Sequence, residues 1–252
     1  MPPHDSTDPR GDRRPRRLPL SHRRAFVAHH TRLRPVAGVE GIRLHLADDA
    51  AQVWQATEEA TGTTSAPIPF WAFAWAGGLA LARYLADRPA DVRDRRVLDF
   101  ATGSGLVAIA AAKAGASAVI AADIDPFAEA AVELNARANR IRVEFVGRDL
   151  LAETPPADVD VLLAGDTWYE GPFAERVQPW LRAAADSGIR VLVGDPGRRY
   201  LPAEGLTEIA AYEVETTTQL EDRAVVVARV FEIDPSAESR YQRSVSPPAG
   251  PR

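Results

Sequence analysis

Four aspartates close short apolar runs of strand length: Asp99 in Val97-Leu98-Asp99-Phe100, Asp123 after residues 118–122, Asp149 after 142–146, and Asp166 after 159–164. Each opens a turn, and in an open parallel sheet such turns gather at the carboxyl edge of the strands. Carboxylates at one edge suit amines, hydroxyls or cations and repel phosphate. Gly103 and Gly105, in Ala101-Thr102-Gly103-Ser104-Gly105, let backbone approach a ligand at the N-terminus of a following helix, where free N–H groups collect. Phe70, Trp71, Phe73 and Trp75 add four aromatics within six residues, ahead of Gly77-Gly78. Rings at that density are core anchors or the wall of a channel, and the residues alone allow both.

The elements that must position these groups are legible as alternation. A strand over 97–100 leads to a helix whose Leu106, Ile109, Ala110 and Lys113 have helical spacing and which ends at Gly115. A strand over 118–122 leads to a helix over 126–139, capped by Asp125 with Pro126 in its first turn. Strands over 142–146, 159–164 and 189–193 follow, with a helix over 172–187 before the last of these. The pattern then changes: 209–214 and 224–231 read as strands with no helix between them. The fold class is therefore α/β, a Rossmann-like sheet of seven strands with helices on both faces and a C-terminal antiparallel hairpin. Upstream, helices over 21–32 and 50–60 flank a short strand within 41–46.

Composition narrows the function. With 252 residues, 46% hydrophobic, the chain has the material for one full α/β core. Residues 1–24, rich in Arg and Pro, read as a disordered tail, 25–233 as a single domain with an N-terminal helical extension, and 234–252 as a second disordered tail. The early aspartates and prolines argue against a transit peptide, and no secretory apolar segment follows. No apolar run is long enough to span a membrane, and a net charge of −5 gives no broad nucleic-acid footprint. The absence of cysteine excludes disulfides and thiolate chemistry and suits a reducing cytoplasm. All five histidines lie before residue 46, so no histidine metal site is expected near the aspartates. A cytoplasmic monomer is the expectation.

Gly103-x-Gly105-x-x-Ala108 also fits the dinucleotide fingerprint, and Asp99 decides between cofactors. A carboxylate at the strand end would repel a pyrophosphate, whereas S-adenosylmethionine has no phosphate and carries an ammonium that Asp99 can hold by a charge-assisted hydrogen bond. The pattern Asp99-x-Ala101-x-Gly103-x-Gly105 resembles motif I of the seven-strand S-adenosylmethionine-dependent methyltransferases, with Ala101 in place of the first glycine. Asp123, about twenty residues past the glycine turn, has the spacing of a ribose ligand. Asp149 can accept from the adenine amino group with Leu150 against the ring, although a bare turn fits the loop nearly as well. Trp75 is the aromatic placed on the cofactor side, because Gly77-Gly78 permit close approach there.

A wider set of motifs carries a family resemblance. Pro69-Phe70-Trp71-Ala72 with Trp75-Ala76-Gly77-Gly78, Asp123-Ile124-Asp125-Pro126 with Leu134-Asn135, Gly165-Asp166-x-x-Tyr169, and Gly194-Asp195-Pro196-Gly197-Arg198 together resemble the lysine methyltransferases of the electron-transfer flavoprotein β-subunit and their bacterial relatives. These belong to the seven-strand protein methyltransferases of family 16, which share an Asp-x-x-Tyr or Asp-x-x-Phe motif after the fourth strand. The similarity covers about 35–233, and Ala101 and Trp168 depart from its usual pattern. It implies N-methylation of lysine in that β-subunit, with Asp166 and Tyr169 as catalytic residues. Phe70, Trp71 and Trp168, with Phe73, would then wall the acceptor channel. Desolvation and cation–π contact suit this chemistry, because a lysine of pKa near 10.4 is neutral in only about one molecule in two thousand at pH 7. Asp166 would orient the amine, although it could instead cap its own turn. Methylation of a small amine or pyridine is the second reading, and a non-catalytic binding module of the same fold the third.

Overall fold

The computed structural model describes residues 18–216 and 224–236. The chain begins with α1 (Leu20–His30), β1 (Arg32–Pro35), β2 (Arg43–Leu46) and α2 (Ala50–Thr61). After the aromatic segment come α3 (Ala76–Asp87), β3 (Arg96–Phe100), α4 (Leu106–Lys113), β4 (Ala118–Ala122), α5 (Pro126–Ala138) and β5 (Glu144–Val146). The rest is β6 (Val161–Gly165), α6 (Gly171–Asp186), β7 (Arg190–Asp195), β8 (Leu206–Glu215) and β9 (Val225–Ile233).

Seven strands make one sheet in the order β5-β4-β3-β6-β7-β9-β8. Strands β3 to β7 are parallel, and β9 runs antiparallel to both of its neighbours, β7 and β8. The strand order reverses between β3 and β6, which opens a crevice at the carboxyl ends of these two strands. Period-two alternation puts Val97, Val161, Leu163 and Leu192 on one face against α3 and α4, and Leu98, Phe100, Leu162 and Val191 on the other against α6. Helices therefore cover both faces, as the sequence pattern predicts. The hairpin pairs from Leu206↔Ile233 to Glu215↔Val225 with a register shift between Glu208 and Ala210. Its expected connection falls largely on 217–223, outside the described residues.

Two boundaries move. The tail predicted for 1–24 lies outside the described residues only up to residue 17. Leu20 already begins α1: Leu20, Phe26 and Val27 share a core cluster with Phe127 and Ala131 of α5, and Arg23 and Arg24 each have a guanidinium 2.7 Å from an acid of that helix, Glu129 and Glu133. At the other end the predicted tail includes Asp234 to Ser236, yet Asp234 N–H bonds Gly205 O and Ser236 N–H bonds Asp186 Oδ1. Residues 237–252 lie outside the described residues. Strand β1 was not foreseen; Arg32-Leu33-Arg34-Pro35 has one apolar residue and no alternation, and forms by pairing with β2. Among the described residues, no helix is long and apolar enough to cross a membrane.

Candidate active site

The turn after β3 is built around Asp99. Its side chain is 1% exposed, and Oδ2 accepts from both Thr102 Oγ1 and Ala108 N–H. Burial pushes its carboxyl up to about 7. The expectation that Asp99 reaches the ligand is thus corrected: it is not among the cavity-lining residues, and its carboxylate ties the turn to the first turn of α4. The reason is alternation, since Asp99 shares the α4 side of the strand with Val97. Ala101 does tolerate its Cβ, in a left-handed conformation with φ 53°, and lines the cavity. Gly103 (φ 51°) also lines it, whereas Gly105 (φ 79°) faces away, where a Cβ would come within 3.1 Å of Val132 on α5.

Asp123, at the end of β4, is joined to this turn. Its Oδ2 accepts from Gly103 N–H at 2.9 Å and its Oδ1 from Asp125 N–H at 2.9 Å, and burial raises its pKa. Asp125 caps α5 through Phe127 N–H, as the Asp-Pro sequence predicts, and burial raises its carboxyl to about 7. Asp149 and Leu150 line the far side of the cavity. The Asp149 carboxylate caps the short turn at Leu151 N–H and pairs with Arg176 at 2.6 Å, which lowers its pKa.

The turn after β6 carries Asp166, held at φ 57° with its backbone N–H on Gly194 O. Oδ2 accepts from Gly78 N–H at 2.9 Å, and Oδ1 takes the Arg198 fork from Nη2 at 2.7 Å and Nε at 3.2 Å. The same guanidinium lies 5.9 Å from the centre of the Trp75 ring. Arg198 was quoted in a motif but given no role. The turn Asp195-Pro196-Gly197 directs it, with Asp195 Oδ1 accepting from Gly197 N–H at 2.7 Å and Arg198 N–H at 2.6 Å. Asp195 is fully buried and raised to about 6, chiefly by that burial. Gly77 is explained differently from the expectation: its missing Cβ makes room for the Gly194 carbonyl at the end of β7, where the helix start meets the sheet.

The aromatics divide. Phe70, Phe73, Trp75 and Tyr169 line the cavity, with Phe70 centred 4.9 Å from Tyr169 and 5.4 Å from Trp75. Trp75 Nε1 donates to Phe70 O at 3.0 Å. Tyr169 is 41% exposed, and partial burial pushes its phenol up to about 12. Trp168 is corrected from channel wall to core: it is 0% exposed, packs in the α6-side cluster and does not line the cavity. Trp71 borders the cavity, but its ring is 1% exposed and stacks on Phe127 at 5.8 Å, so it anchors the aromatic segment to α5.

These groups surround one cavity of about 350 Å³, within the range of small-ligand sites. Its donor set fits S-adenosylmethionine. Asp123 retains lone pairs for hydroxyls, Leu150 offers an apolar face for a base, and carboxylates crowded by burial favour a ligand carrying positive charge.

The ribosomal protein L11 methyltransferase (PrmA) family matches residues 83–165. Magnesium protoporphyrin IX methyltransferase from Synechocystis PCC 6803, solved with bound SAM, shares the fold with a TM-score of 0.50 at 17% identity, over 75% of this chain and 99% of that one. The chain is an S-adenosylmethionine-dependent methyltransferase. It is also 35% identical over 228 residues to the electron transfer flavoprotein beta subunit lysine methyltransferase of Xenopus laevis, covering 88% of this chain and 91% of the relative. The counterpart from Mus musculus is 37% identical over 172 residues, 66% and 68% of the two chains. The chain belongs to the family of electron transfer flavoprotein beta subunit lysine methyltransferases.

Proposed function

We propose that this chain methylates the side-chain amine of lysine in the electron-transfer flavoprotein β-subunit. The observation that carries the reading is Asp166, set in the cavity wall beside Tyr169 and Phe70, with Asp123 and the glycine turn lining the same space. Asp123 would take the ribose hydroxyls, and Ala101, Gly103 and Trp75 the remainder of the cofactor. Leu150 would lie against adenine, with Asp149 at the amino group. Exposure of Ile68 (42%) and Tyr169 (41%) at the rim favours an acceptor that enters from a protein surface over a small molecule enclosed within the protein.

When bound, S-adenosylmethionine supplies a methyl group already activated on a sulfonium. The protein's part is alignment and dehydration. Asp166 accepts three hydrogen bonds, two on Oδ1 and one on Oδ2, which leaves a lone pair on Oδ2 to orient an amine N–H. Tyr169 and Phe70 remove water from the approaching side chain and offer their π faces to its charge. With its oxygens already bonded, Asp166 is an orienting group, and the proton passes to water. The test is the intact mass of purified β-subunit after incubation with S-adenosylmethionine and this protein. A 14 Da increment mapped to lysine supports the reading; an unmodified β-subunit, with cofactor binding intact, overturns the substrate.

A further inference from the structure

The acceptor carboxylate already has a cation. Arg198 covers Asp166 Oδ1 with two donors, and both side chains are largely withdrawn from solvent, at 17% and 11% exposure. This arrangement is built rather than incidental. The buried Asp195 carboxylate takes the backbone N–H groups of residues 197 and 198, Gly78 N–H fixes the other oxygen of Asp166, and the Trp75 ring lies beneath the guanidinium. Arg198 lines the same cavity as Asp166 and Tyr169.

An unpaired carboxylate at this position would work against the reaction assigned above. A negative charge within about 4–6 Å stabilises an ammonium and raises its pKa by about 1–3 units, so the acceptor would bind in the form that has no lone pair to offer. A guanidinium on the carboxylate cancels that effect while leaving an oxygen to orient the amine. We propose that Arg198 is a positioning residue that sets the charge of the acceptor site, neutralising Asp166 so that lysine is held there as the neutral amine. The inference rests on the reading that the acceptor is a lysine at Asp166.

Other charges surround this pair. Asp195 lies behind Arg198 at the end of β7, and Tyr169 and Glu170 follow β6. Across the cavity are Asp123 and Asp125 after β4, with Arg148, Asp149 and Arg176 beyond them. Asp149 and Arg176 are paired with each other, and Arg148 with Glu153, so the cation on Asp166 is Arg198.

The test is the pH profile of kcat for methylation of the β-subunit by the wild type, Arg198→Gln, Arg198→Lys and Asp195→Asn, each first shown to bind S-adenosylhomocysteine. The wild type is expected to have an acid limb centred below the lysine value of about 10.4. In Arg198→Gln the limb moves up by about 1–2 units, so kcat falls roughly 10- to 100-fold at pH 7.5 and recovers near pH 10, while KM for the β-subunit is unchanged or lower. Arg198→Lys keeps the charge and holds the limb in place. Asp195→Asn retains an oxygen for the two N–H groups, and its limb persists, which separates the acceptor's titration from that of Asp195. An unshifted limb in Arg198→Gln, an equal loss at every pH, or the same shift in Arg198→Lys would overturn the inference. Absence of methylation by the wild type would overturn the substrate reading itself.

Discussion

Gly77 and Gly78 are adjacent in sequence and alike in backbone freedom, yet alanine should have opposite effects at the two positions. A Cβ at Gly77 would lie inside van der Waals contact of the Gly194 carbonyl oxygen, 2.6 Å from its carbon and 2.8 Å from Asp166 Oδ2. Carbon contacts are optimal at about 3.5–4.0 Å, so the first turn of α3 must retreat by about 1 Å. Overpacking of this kind costs about 1–3 kcal/mol, and loss of the Gly78 N–H bond to the Asp166 carboxylate about 1.5–3 more. The sum, about 2.5–6 kcal/mol, corresponds to a fall in Tm of roughly 5–24 °C for a domain of this size. At Gly78 the added Cβ meets Val107 Cγ2 at 3.7 Å, an ordinary contact, and the N–H is retained. Alanine there should be neutral or stabilising by up to about 1 kcal/mol through helix propensity. Thermal unfolding followed by circular dichroism reads both variants. Equal Tm values for the two, or a fall of less than about 2 °C for Gly77→Ala, would refute the claim that this helix start is wedged against the end of β7.

Three further outcomes follow from the buried groups. Asp99 has a folded pKa of about 7 against 3.8 unfolded, so the folded state holds a proton that the unfolded chain releases. Its contribution is therefore full below about pH 4 and lost as pH rises to about 7. Urea unfolding of ligand-free protein should show the wild type losing about 3 kcal/mol relative to Asp99→Asn between pH 5 and 8, and a pH-independent difference would contradict it. Trp168→Leu should cost about 2–4 kcal/mol of stability while leaving KM for the acceptor within twofold, because the ring is in the core; a raised KM would return it to the channel. Asp123→Ala should weaken S-adenosylhomocysteine binding by roughly 10- to 100-fold in calorimetry without changing acceptor KM.

The alternation of strand and helix was enough to read the strands of the sheet and the closing hairpin, because each buried strand is a short apolar run and each turn carries its own signal. Where residue roles went astray, the cause was side-chain direction. Val97 and Asp99 share one face of β3 and Leu98 and Phe100 the other, so the strand's own period already aimed Asp99 at α4. Trp168 and Tyr169 are neighbours, yet one is buried against α6 and the other lies at the cavity rim, a division made by the left-handed turn at Asp166 that composition does not announce. Gly77 and Gly194 meet across more than a hundred residues, and their contact exists only after β7 is placed. Arg198 was hidden for the same reason, being 32 residues from Asp166 in sequence. Its signal was the Asp195-Pro196-Gly197 turn at the end of β7, the strand beside β6.

The central claim is that one cavity at the carboxyl edge presents a cofactor to a lysine held at Asp166. A crystal structure with S-adenosylhomocysteine and a lysine-containing segment of the β-subunit tests it most directly. The account predicts ribose hydroxyls on Asp123, the base against Leu150, and the lysine nitrogen within hydrogen-bond reach of Asp166, about 2.6–3.2 Å, in line with the sulfur. A lysine that enters elsewhere, or a sulfur directed away from Asp166 and Tyr169, would contradict it.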